Sequence, residues 1–111
     1  MLDLIIKNGS CYIDNNLKDV DIGIQNGKIV KIGKLDEKSN HLIDATGLTV
    51  LPGCIDTQTH FREPGSTDTE DLNSGSRAAI VGGITSVFEM PNTNPATTNQ
   101  EEFQRKIDLA K

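Results

Sequence analysis

Residues 54–65 read Cys-Ile-Asp-Thr-Gln-Thr-His-Phe-Arg-Glu-Pro-Gly. The β-branched and aromatic residues from Ile55 to Phe61 predict a short strand, whose alternate side chains share a face. Asp56, Gln58 and His60, continued by Arg62, then fall on one side, with Ile55, Thr57, Thr59 and Phe61 on the other. A carboxylate, a carboxamide, an imidazole and a guanidinium in one row can bind a cation, move a proton or grip an anionic group. Burying such a row is costly unless its members meet a ligand or each other. The plainer alternative is an edge strand with its polar face in water.

The elements around this strand follow from periodicity. Up to residue 51 apolar and polar residues alternate between turn dipeptides, the pattern of half-buried strands in hairpins. Val20, Ile22 and Ile24 share a face, Asn26-Gly27 predicts a tight turn, and Ile29 to Ile32 returns. Asn8-Gly9 predicts a second turn, residues 34–41 a polar connection containing His41, and 44–47 a turn between Leu42-Ile43 and Leu48–Leu51. Pro52-Gly53 marks a boundary, giving units at 1–51 and 52–111. Beyond it the order is β-α-β-α. The strand at 55–61 precedes a helix capped by Thr67 with Glu70 and stopped at Gly82-Gly83. A strand over 84–90 follows, then a helix capped by Thr98 with Glu101. Alternating strands and helices imply parallel strands with site residues at their carboxyl ends.

Composition narrows the functions. Eleven Lys and Arg against sixteen Asp and Glu leave a net charge of −5, the wrong sign for a nucleic-acid partner. No apolar run approaches the ~18 residues of a membrane span. The amino end lacks the pattern of a signal peptide, and Cys11 and Cys54 have no paired spacing, so a cytoplasmic setting with free thiols is expected. The 111 residues fall well short of the ~250 that a complete (β/α)8 barrel takes.

Residues 51–65, Glu70-Asp71, Ser74–Ala79, Gly82–Thr85 and Met90-Pro91-Asn92-Thr93-Asn94-Pro95 together resemble the amidohydrolase superfamily, and within it the dihydroorotases. The resemblance implies an α/β chain. A small amino-terminal β-sandwich portion would be followed by the first two βα units of an incomplete TIM (β/α)8 barrel. It further implies zinc as cofactor, with His60 as a ligand, and Arg62 and Asn92 holding a substrate carboxylate. The implied reaction is the reversible hydrolysis of dihydroorotate to N-carbamoyl-aspartate. Arg62 favours this branch, since allantoinases tend to have Asn there and hydantoinases an apolar residue.

Gln58 stands where the family has a first metal-binding histidine, and a carboxamide is a poor zinc ligand. The later ligands and the catalytic carboxylate of the family fall outside these residues, so no catalytic residue is assigned and the chain alone is expected to be inactive. Two alternatives stay open: an allantoinase- or hydantoinase-like segment, and a non-catalytic module that completes or partners a pyrimidine-pathway enzyme through another chain or self-association. Among the remaining candidates, Glu63 and Asp68 are expected to be solvated, Glu89 to pair with Arg62 or Arg77, Asp71 to favour the helix dipole, and Cys54 to be buried.

Overall fold

The computed structural model describes residues 1–111. They form two units, Met1–Pro52 and Gly53–Lys111.

The first unit is one mixed sheet of β1 (Leu2–Ile13), β2 (Asn16–Gln25), β3 (Lys28–Gly33), β4 (Ser39–Asp44) and β5 (Thr49–Val50), ordered β3-β2-β1-β4 with β5 also on β1. The turn between β2 and β3 uses Asn26 and Gly27 at φ 52° and 70°, as the dipeptide predicts. Asn8-Gly9 makes no turn: β1 runs straight through it, with a bulge against β2 where Asn8 takes φ 61°. The chain reverses instead at Asp14-Asn15, φ 53° and 62°, between the paired residues Ile13 and Asn16. Both dipeptides tolerate left-handed backbone. What distinguishes them is tertiary, because Asn8 donates its backbone N–H to Asp21 Oδ1 at 3.0 Å and its amide to Asp44 Oδ1 at 3.1 Å.

Nor do the segments flanking residues 44–47 form a hairpin. Both β4 and β5 pair with β1 in parallel, one beside Leu2–Lys7 and the other beside Ser10-Cys11, so the turn is a jog along one edge. The polar connection is shorter than expected, since Ser39–His41 belongs to β4, where His41 is exposed. Leu2, Ile5 and Leu35 form the core, with Cys11, Ile22 and Ala45 also buried. Burial, then the nearby Asp21, pushes the Cys11 thiol above its ordinary pKa, the direction that disfavours the thiolate.

The second unit runs β6 (Cys54–Thr59), α1 (Leu72–Val81), β7 (Ile84–Glu89), α2 (Gln100–Leu109), with β6 and β7 parallel. This is the βα repeat from which (β/α)8 barrels are built. The caps differ from those expected. Asp71 caps α1 and accepts from Ser74 N at 2.7 Å; Asn99 caps α2 and accepts from Glu102 N at 2.9 Å. Each sits immediately before its helix, where a short acceptor side chain reaches the free N–H groups better than a threonine further out. Gly82 and Gly83, the latter at φ 85°, end α1. Cys54 is exposed rather than buried, because the start of β6 has only β7 beside it. No helix is long and apolar enough to cross a membrane.

Gly75 is the buried residue of α1, and a Cβ there would lie 2.8 Å from the Phe61 ring. Alanine gains about 1 kcal/mol in helix propensity, whereas overpacking costs about 1–3 kcal/mol. Gly75→Ala is therefore expected to destabilise the second unit by about 1 kcal/mol in urea denaturation, and a stabilised variant would contradict the close contact.

Candidate functional site

Strand β6 ends at Thr59, two residues earlier than its apolar pattern suggests, so His60 and Arg62 leave the strand and enter the loop beyond its carboxyl end. The row Asp56-Gln58-His60-Arg62 is thus not one strand face. Asp56 Oδ1 accepts the Gln58 backbone N–H at 2.9 Å, a local turn-like bond consistent with the irregular pairing between Asp56 and Thr59. Gln58 itself is exposed.

The two strand ends are tied together. Met90 N donates to Thr59 O at 2.8 Å, and Glu89 stands opposite Thr59. Glu89 does not pair with Arg62 or Arg77. One carboxylate oxygen accepts Phe61 N at 3.1 Å and the other accepts Lys106 Nζ at 2.8 Å, while Lys106 also donates to Met90 O at 3.3 Å. Glu63 is not merely solvated either, since its Oε2 accepts Leu72 N at 2.8 Å, a second acceptor at the amino end of α1. Further on, Ser66 N donates to Arg62 O at 2.9 Å and Asn94 N to Pro64 O at 3.0 Å, which joins the loop after β6 to the loop after β7.

These bonds fix the backbone on either side of Arg62 and leave its side chain uncommitted. Arg62 is exposed and its guanidinium takes part in none of the ion pairs. His60 meets neither Asp56 nor Arg62. Its Nδ1 lies 2.8 Å from Asn92 Oδ1. Two residues of the row, His60 and Arg62, therefore gather at the strand ends with Asn92, which the resemblance singled out: His60 and Asn92 in contact, and Arg62 two residues along. His41 belongs to the other unit and takes no part.

Sequence reasoning missed Glu89 and Lys106 as the clamp beneath the site. Their separation of 17 residues carries no local signal; only a carboxylate at the last position of a strand, just before Met90-Pro91, hints at it. As a metal centre the donor set is incomplete. Catalytic zinc takes about three protein ligands. The chain has no group of three or more His, Cys, Asp or Glu that could hold a metal, and Gln58 brings a neutral amide. These residues by themselves do not fit a resident zinc.

A model of the amidohydrolase family matches residues 49–108. The chain is 48% identical over 110 residues to an allantoinase from Salmonella choleraesuis, across 98% of this chain and 24% of that protein. In structure it is similar to the L-hydantoinase (dihydropyrimidinase) from Arthrobacter aurescens, with TM-score 0.86 and 34% identity over 99% of this chain and 25% of the other. It is also similar to an N-acyl-D-glutamate deacylase from Bordetella bronchiseptica, with TM-score 0.62 and 30% identity over 78% and 18%. That enzyme was solved with zinc and a phosphonate inhibitor. The chain thus spans about a quarter of the length of the curated allantoinase.

Proposed function

This chain belongs to the amidohydrolase family, and from that premise we propose that it supplies the first part of a cyclic-amide hydrolase that opens an allantoin-like ureide ring. The observation that carries the reading is the 48% identity to an allantoinase along 98% of the chain. Hydantoinases, among the structural neighbours, support the same class of reaction, ring opening at a cyclic amide. His60, Arg62 and Asn92 support it chemically. The guanidinium is a fork for a carbonyl or carboxylate oxygen, and the Asn92 amide N–H adds a donor beside it.

A second reading, dihydroorotate as the ring, rests on the motif resemblance, with Arg62 and Asn92 as the residues that would hold its carboxylate. A free guanidinium suits a substrate that carries a carboxylate, which allantoin lacks. In either reading the metal chemistry of the family needs ligands beyond those of this segment, zinc being the metal of the related deacylase. The apolar residues exposed on the second unit, Ile55, Ile80, Val81 and Phe88, support a segment that works joined to further βα units. Those units would come from its own polypeptide or from a partner chain. The small-molecule ring and a cytoplasmic setting with free Cys11 and Cys54 belong to this proposal.

The test is a chimera in which residues 1–111 replace the matching quarter of the Salmonella choleraesuis allantoinase. Allantoin consumption in preference to dihydroorotate is expected. The reverse preference would transfer the proposal to the dihydroorotase reading, and a folded chimera inactive on both would end it. Arg62→Asn separates the readings further. Loss of a charge-assisted bond to a substrate carboxylate costs about 1.5–3 kcal/mol, roughly 10- to 100-fold in kcat/KM on dihydroorotate. Turnover of allantoin is expected to fall less, by about 2- to 10-fold, because the guanidinium there meets a neutral carbonyl rather than a carboxylate.

A further inference from the structure

We infer that Asn92 is a positioning residue that sets the tautomer of His60. A carboxamide oxygen accepts and never donates, so the 2.8 Å contact between Asn92 Oδ1 and His60 Nδ1 requires the imidazole proton to sit on Nδ1. A neutral imidazole has only one such proton, which leaves Nε2 with the lone pair. The ring at the carboxyl end of β6 is thereby prepared to accept a proton or a hydrogen bond through Nε2. Asn92 keeps its N–H2 group for a ligand.

The geometry is held from below rather than by the pair itself. The bond spans 32 residues and joins the loop after β6 to the loop after β7. Its ends are registered by the Met90–Thr59 bond and by the Glu89 carboxylate between Phe61 N and Lys106. Neither of the other charged residues of the row bonds the ring. Asp56 accepts the Gln58 amide, and Arg62 offers only donors. The inference deepens the proposed function, on which it rests for the nature of the ligand, yet the tautomer is measurable without any substrate.

The experiment is a long-range ¹H–¹⁵N correlation of the histidine rings in the ¹⁵N-labelled 111-residue chain, at about pH 8.5. His41→Gln assigns the signals. His60 is expected to show the Nδ1–H pattern, and the exposed His41 the mixture of a free imidazole. Asn92→Ala should move His60 to the His41 pattern, and Asn92→Asp, which retains an acceptor oxygen, should restore Nδ1–H. A wild-type His60 indistinguishable from His41, or one unmoved by Asn92→Ala in a chain whose backbone amide spectrum is intact, would overturn the inference. If Asn92→Ala does not fold, the wild-type comparison with His41 and the Asn92→Asp spectrum decide it. An inactive chimera with the Nδ1–H pattern intact would remove the proposed substrate and leave the positioning role standing.

Discussion

Asp21→Ala is expected to destabilise the first unit by about 2–4 kcal/mol. Asp21 is 3% exposed, and its two carboxylate oxygens accept the backbone N–H groups of Asn8 at 3.0 Å and Leu35 at 2.9 Å. Truncation strands two N–H groups, one of them buried, and each costs about 1–3 kcal/mol without a partner. It also releases the bulge in β1 and the segment that brings Leu35 into the core. Urea denaturation of the chain measures this, and a loss under about 1 kcal/mol would contradict the assignment.

The same carboxylate makes stability depend on pH. The Leu35 N–H, then the Asn8 N–H, hold the Asp21 carboxyl below its ordinary pKa against the opposing effect of burial, with Lys7 and Lys34 adding to the depression. A lowered folded-state pKa means that the unfolded chain takes up the proton first as pH falls. The contribution of Asp21 is therefore complete above the unfolded carboxylate range, about pH 5, and is lost as pH falls through the folded value. Asp21→Asn should flatten the dependence of stability on pH below about 5, and an unchanged slope there would assign the acid sensitivity elsewhere.

Glu89→Ala is expected to be the most damaging single change in the second unit, at about 2–4 kcal/mol. The Glu89 and Lys106 side chains are 17% and 11% exposed, so their 2.8 Å ion pair is largely desolvated, and removing one partner leaves the other charge buried alone. Phe61 N loses its acceptor as well. Glu89→Leu combined with Lys106→Met removes both charges and should recover part of the loss, because the cost lies in the unpaired charge more than in the missing attraction. If the double variant is as unstable as the sum of its single variants, the pair is not coupled. Since Phe61 lies between His60 and Arg62, Glu89→Ala should also weaken the His60 Nδ1–H pattern, a readout beyond stability.

Much of the fold was legible. The Asn26-Gly27 turn, the β-α-β-α order after residue 53 and the end of α1 at Gly82-Gly83 follow from local rules, since a positive φ, an apolar period and a glycine stop act within a few residues. Where local signals were equal, the reading failed. Asn8-Gly9 and Asp14-Asn15 suit the same backbone, and only the distant carboxylates of Asp21 and Asp44 make the first a bulge. The jog between β4 and β5 looked like a hairpin because strand direction is invisible in a run of alternating residues.

At the site, residue type and spacing picked out the row Asp56, Gln58, His60 and Arg62, with Gln58 a weak metal donor, and the family resemblance added Asn92 and the role of Arg62. The family also follows from the sequence, although its branch does not: Arg62 pointed to dihydroorotate, while the curated relative of highest quoted identity is an allantoinase. Tertiary structure alone decided the partners: His60 with Asn92, Phe61 N and Lys106 with Glu89, and Leu72 N with Glu63. The physical reason is range. Propensity and periodicity act between neighbours, whereas these hydrogen bonds join residues 9 to 32 positions apart, and His60–Asn92 and Phe61–Glu89 meet only when β6 and β7 align in parallel.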